Sequence, residues 1–401
     1  MTAETTASRK HFHILAASFV MSAATFAGAS AQEVEAAAER LQAYVADQGF
    51  QIAWDGIDVD GDGSSGTLVD VSVGNDDTMV PIGNIRFVNV SRDDKGYRIE
   101  RVSLSDFNST DEEEEIEFAA RNISLGKVLL PDEDKRDNYG GFLFYETFDL
   151  DRMALTLGGA EVFTMGDVHF AVTEPDSDTP MDFTGAAESF TLDLSLMDDE
   201  DQLAVMDALG LRQMEGYFEI EGSWNPNDGR LTLSQYDLTV VDAGTIGITL
   251  DIGGYTPSLI ASLRELQKQM ADNPESDNSA QGLAILGLLQ QMTFHSTEIS
   301  FTDDTLTSKV LGYVAKNQGM SPADIANQAK AVVPFALAQL NNPELTTQAS
   351  QAVSAFLDDP QNLTVSARPA QPVPFALLMA TAMTTPAELT KSLGVTVTAN
   401  D

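Results

Sequence analysis

The chain contains no cysteine. In an oxidising compartment that excludes disulfide stapling, so the fold must stand on its buried core. It also excludes a thiol nucleophile, a thiolate metal site and an acylated lipoprotein cysteine. Positive charge is scarce, with Lys+Arg 22 against Asp+Glu 62 and a formal net charge of −40 over 401 residues. A field of that sign repels nucleic-acid phosphates and anionic lipid headgroups, so no nucleic-acid partner is expected. Histidine is nearly missing. Beyond the first 31 residues only His169 and His295 remain, both in strand-like surroundings. The sequence also lacks a P-loop, a dinucleotide glycine fingerprint and a G-x-S-x-G elbow. The expectation is a protein that is not an enzyme; carboxylate-only hydrolysis is the one enzymatic alternative the composition leaves.

Long apolar runs are absent except near the start. Arg9 and Lys10 precede Ile14 to Met21, and small residues lead to Ala29-Ser30-Ala31. A positive segment, a short apolar core and an A-x-A site read as a secretory signal peptide over residues 1–31, cut after Ala31. The apolar stretch is too short to span a bilayer comfortably. A periplasmic location is therefore expected, with no transmembrane anchor after cleavage.

The organisation beyond the leader changes twice. Val34, Ala37, Leu41 and Val45 recur at helical spacing, which predicts an amphipathic helix over 32–48. Residues 49–255 then alternate with period two. Leu68 to Val73 is one such strand, and Ile85 to Val90 with Tyr97 to Val102 reads as a hairpin. Phe218, Ile220 and Trp224 open a meander that returns through Leu231 to Val240 and Ile246 to Ile252. A short helix is expected at 199–209. Residues 256–401 read mainly as helices, at 257–271, 280–292, 307–317, 322–341, 344–357, 374–383 and 386–393. Short strands at 298–301, 363–365 and 395–397 stitch this half onto the sheet. The predicted fold class is α+β, a large, curved, mostly antiparallel sheet covered by C-terminal helices, in one continuous domain.

One string has the look of a metal site. Asp58, Asp60 and Asp62 are spaced two apart with Gly63 at the sixth position, as a tight calcium loop requires. The string departs from that pattern at Val69, where a bidentate Glu belongs, and no helix precedes it. The competing reading is a hairpin turn. Calcium is the only cofactor suggested, through these three aspartates.

Three helical stretches are apolar nearly all round: Leu283 to Leu289, Val332 to Leu337 and Phe375 to Met383. A surface helix would show a polar face. Either they are buried against the concave side of the sheet, or they and the sheet enclose a pocket for a lipid-like ligand. Met206, Met214, Met379 and Met383 suit adaptable packing in both cases.

The opening Gly49-Phe50 to Val73, the meander from Gly222-Ser223-Trp224 to Gly254-Tyr255 and the ending Val395 to Asn400 resemble an uncharacterised group of secreted alpha-proteobacterial, largely rhizobial proteins. The meander with its Asp-Gly turns is also similar in texture to the β segments of AsmA-like and YdgA-like envelope proteins. That resemblance implies work in envelope lipid homeostasis. The first expectation is thus a non-enzymatic periplasmic protein that binds or shields an apolar ligand. The second is a structural or adaptor protein with a fully packed core and an acidic surface for an envelope protein partner.

Overall fold

Period-two alternation over most of residues 50–255 demands an extensive sheet with one apolar face. The computed structural model describes residues 31–401 except 76–77, 112–114, 140–142, 176–178, 197–198 and 273–277. The expected leader therefore lies outside the described residues but for Ala31, which begins the first helix, α1 (Ala31–Asp47).

The first strands follow directly: β1 (Gln51–Ala53), β2 (Gly56–Val59), β3 (Gly66–Gly74), β4 (Met79–Arg92), β5 (Gly96–Leu104), β6 (Phe107–Asp111), β7 (Ile116–Arg121) and β8 (Ser124–Pro131). Long strands come next: β9 (Thr147–Leu157), β10 (Ala160–Val172) and β11 (Met181–Asp193). After helix α2 (Glu200–Leu209) the expected meander is β12 (Gln213–Asn225), β13 (Arg230–Val240) and β14 (Gly244–Gly253). Helices α3 (Pro257–Asp272) and α4 (Asn278–Leu289) lead to β15 (Thr293–Asp303). Then come α5 (Leu306–Gln318), α6 (Pro322–Leu337), α7 (Pro343–Asp358), β16 (Asn362–Ala367) and β17 (Val373–Pro374). The chain closes with α8 (Phe375–Thr384), α9 (Pro386–Ser392) and β18 (Val395–Ala399).

All these strands join one open antiparallel sheet, and the α+β class stands. The sheet runs β3–β4–β5–β8–β9 and then strand by strand to β15, β16 and β18. Most neighbours in the sheet are also neighbours in the chain. β1 and β2 share the outer side of β3, while β7 joins β9 beside β8. The β14–β15 pairing carries the sheet across residue 255, where the composition changes.

The core is strung along the sheet. The largest cluster seats Val34, Ala37 and Ala38 of α1 on Leu68, Phe87, Ile99 and Leu130. A smaller one centres on Leu150, Val168 and Ala187, and another on Ile252, Phe294 and Ala367. Helices α2 and α5 flank the end where β13 turns into β14, α3, α4, α8 and α9 flank the opposite end, and α7, with α6 against it, lies along the last strand, β18. Helix α6 continues through Pro334 and tightens into a 3-10 turn at Ala338–Leu340, ending at left-handed Asn341. Its start is a capping box, with Ser321 and Asp324 reciprocally bonded. The start of α9 at Thr385 makes no side-chain cap. Asp303 caps α5, its Oδ1 accepting from the Thr307 amide at 2.7 Å.

Long-range charge pairs tie the first strands to the middle of the sheet. Glu174, just after β10, accepts from Arg98 Nη1 at 2.8 Å and from Lys95 Nζ at 2.6 Å. Partial burial pushes its pKa up, but the hydrogen bonds from Arg98 and Lys95 outweigh that and hold it at about 2. The depressed pKa means the bridge stabilises the fold above the ordinary carboxyl range and stops doing so as pH falls towards 2. Glu174→Gln is expected to cost roughly 1–3 kcal/mol near neutral pH, with the gap to wild type closing below about pH 4 in urea titrations.

Candidate functional site

On β12 the alternation places Met214, Phe218, Ile220 and Trp224 on one face, with Glu215, Glu219 and Glu221 on the other. Cross-strand register carries the apolar face outward in both directions. Trp224 pairs with Leu231 and Leu231 with Ile252, while Phe218 pairs with Leu238 and Leu238 with Ile246. Ile248 pairs with Ile299, Ile299 with Val365 and Val365 with Val397. On the other side Ala187, Val168 and Leu150 extend the same face. Three aromatic rings on it lie over cross-strand glycines: Phe170 over Gly185, Phe190 over Gly216 and Phe183 over Gly222. A Cβ at Gly222 would overlap the Phe183 ring.

Where α3 leans on this face it leaves a cavity of about 300 Å³. Its walls include Tyr145, Phe183, Trp224, Leu231, Tyr255 and Ile260. Trp224 is held edge-on to Tyr255, and its Nε1 donates to the Tyr255 carbonyl at 2.7 Å. The single polar atom of the indole is thereby satisfied, leaving an apolar wall. Burial pushes the Tyr145 phenol pKa up, so that group stays neutral. Size and lining match the lower end of small-molecule sites.

The apolar face continues beyond the cavity as a trough. Phe301 packs on Phe356 of α7 at one end, and Phe294 packs on Phe375 of α8 at the other. Between these walls Ile299 stays 52% exposed and Val365 42%, with Ile246 and Leu238 beside them. Apolar side chains this exposed on one sheet face stand out from a surface otherwise rich in carboxylates.

The opposite face is polar. His169 Nδ1 lies 2.7 Å from Asp149 Oδ1 across strands β10 and β9, both exposed. His295 Nε2 lies 3.3 Å from Arg230 Nη1 and 3.2 Å from Thr293 Oγ1. Arg230 also donates to Asp251 Oδ2 at 2.5 Å, whose other oxygen is buried without a hydrogen bond among the described residues. Both histidines are thus engaged in cross-strand contacts on the face away from the cavity.

The three aspartates of the calcium-like string are spread along a hairpin. Asp58 lies in β2, where it pairs with Thr67. Asp60 forms a two-pronged ion pair with Arg86 of β4, which lowers its pKa chiefly through those hydrogen bonds. Asp62 turns back on its own loop, accepting from the Ser64 amide at 3.0 Å. Among the described residues no three His or carboxylate groups are placed to hold a metal.

The apolar helices are placed differently from the expectation that they are buried or line a pocket. α8 buries no side chain fully, and α6 buries only Ile325 and Ala326, near its start. From α3, Ile260 alone lines the cavity, and the strand residues Phe183, Leu231 and Trp224 supply the wall. The sequence signal for those residues was alternation alone, which shows a shared face and not what covers it.

Two outcomes follow from this geometry. Gly222→Ala is expected to push the Phe183 ring out of place, lowering stability by about 1–3 kcal/mol and reducing uptake of an apolar probe. Because Asp60 and Asp62 already have partners, the thermal midpoint is expected to be the same in excess calcium and in excess chelator. A rise with calcium would establish the loop as a site.

Comparison with known proteins adds one match. Residues 237–400 match a family described only as an uncharacterized protein, a span running from within β13 to the end of β18. It takes in the trough floor and helices α3 to α9, and it leaves out the cavity wall on β10 to β12. No curated protein matches the chain.

Proposed function

We propose that this chain is a non-enzymatic periplasmic protein that binds or shields an apolar, lipid-like ligand in envelope maintenance. The cavity beneath α3 carries the reading. It is lined by aromatic and aliphatic side chains, its one indole N–H is already bonded to backbone, and it opens onto a face built from the same apolar rows. A fully packed adaptor core would have filled that volume, because empty apolar space costs packing energy.

The ligand the lining suits best is an acyl chain, since none of the described lining residues offers a charge to a polar head. Export by a leader cut after Ala31 and the resemblance to secreted and AsmA-like envelope proteins support the location and the process. The acidic surface suits the compartment by keeping the protein soluble while its apolar face is open.

The test uses the two tryptophans. In a Trp54→Phe background, Trp224 is the sole reporter. Brominated fatty acid is expected to quench it saturably, and unbrominated fatty acid to reverse the quenching. Absence of quenching by a ligand that fits 300 Å³ would overturn the reading and leave the adaptor alternative in front.

A further inference from the structure

Three segments far apart in the chain carry no charged residue: 278–294, 331–343 and 369–387. They include α4, the end of α6 and α8. In a protein with 62 acidic residues, such gaps are conspicuous, and the fold brings them together. α4 touches α8, α8 touches α9, and α9 touches the 3-10 turn that ends α6. Asn342 Nδ2 donates to Thr390 Oγ1 at 3.2 Å across the last of these joints.

The side chains presented there protrude. Leu283 is 70% exposed, Phe335 79% and Met383 80%, with Val332, Leu377 and Met379 exposed as well. Charges resume at the rim, with Lys330, Glu344, Arg368 and Glu388. We propose that this surface docks on a lipid bilayer, with α4, α8 and the end of α6 inserted shallowly into its interface.

Charge and shape select that partner. Single protruding Leu, Phe and Met side chains enter a fluid acyl layer without needing matched pockets, whereas a protein partner needs shape complementarity and polar pairing at the rim. The net charge of −40 repels anionic headgroups, so the favoured surface is zwitterionic. No helix among the described residues is long and apolar enough to cross a membrane, which fits insertion at the interface. The patch also adjoins the cavity. α8 seats Phe375 and Leu378 on the cluster that contains Leu231 and Tyr255, both of which line the cavity. The purpose of docking, passage of an acyl chain between bilayer and cavity, rests on the function proposed above.

The experiment is flotation of the mature chain with phosphatidylcholine vesicles and, separately, with phosphatidylglycerol vesicles. Wild type is expected to float with the first and to float less with the second. The triple substitution Leu283→Glu, Phe335→Glu and Met383→Glu is expected to reduce flotation by at least about tenfold while leaving the circular dichroism unchanged, since all three sites are exposed. Failure of wild type to float with phosphatidylcholine, or equal flotation of the variant, overturns the proposal. So does self-association in sedimentation that the triple variant abolishes, because the patch then joins two copies. Quenching of Trp224 keeps the two readings apart. A variant that loses flotation but keeps quenching supports docking by this patch, and flotation without quenching overturns the acyl-chain cavity alone.

Discussion

Everything in this fold depends on neighbouring strands changing face at the same point. In a strict strand, side chains three apart point to opposite sides, and a slip of one residue flips the whole set. Yet Leu68 and Val71, Phe87 and Val90, and Ile99 and Val102 all enter one core cluster at a spacing of three. Leu125 and Val128, then Leu150 and Met153, repeat that spacing, and Met165 with Val168 does so on β10. Asp70, Asn89, Lys127 and Asp167, each with φ near +50°, sit within four of these six pairs. A left-handed non-glycine residue costs about 1–2 kcal/mol. Burying the apolar residues on either side offsets that cost, because without the switch half of each strand would turn its apolar side to water.

With the seam in place, one apolar face extends along the sheet, about 60 Å from β3 to β18 at ordinary strand spacing. A helix is about 10 Å across and covers only part of such a face. Helix α1 covers the first strands tightly. Further along, α7 lies on the last strand through Leu345, Ala349, Ala352 and Phe356, while most other helices gather at the strand ends and leave Ile299 and Val365 exposed. The cavity under α3 and the trough over Ile299 and Val365 are consequences of that shortfall. The opposite face spends the acidic residues. Glu219 faces Asp237 directly across β12 and β13, a like-charge pair that water must screen. The sheet is therefore two-sided in composition, with charged residues on one face and apolar rows on the other.

Much of the architecture was legible in the sequence because period and turn chemistry are local. The Tyr217 to Ile252 meander, the Asp93 to Gly96 hairpin and the Ser321 cap all declare themselves within a few residues. The face switches were not legible, since a polar residue between two apolar ones reads as ordinary alternation or as a break. Lys127, for example, turns the chain within the single strand β8 and leaves Leu125 and Val128 in one cluster. The cavity was not legible either. Its wall joins Tyr145, Phe183, Trp224 and Ile260, residues brought together by register and by the seat of α3. The apolar helices pointed to apolar contact, but their composition alone could not say that Phe335 and Met383 face outward. The carboxylate spacing at 58–62 could not show that Arg86, from a strand 26 residues away, pairs with Asp60.

The proposed function requires the apolar face to hold a lipid-like molecule. Native mass spectrometry of the chain, expressed with its own leader and purified without detergent, tests it most directly. The expected species is a chain beginning at Gln32 that carries an added mass, released on denaturation and identified as an acyl lipid. A bare chain with no adduct, from cells in which the protein is abundant and folded, would contradict it.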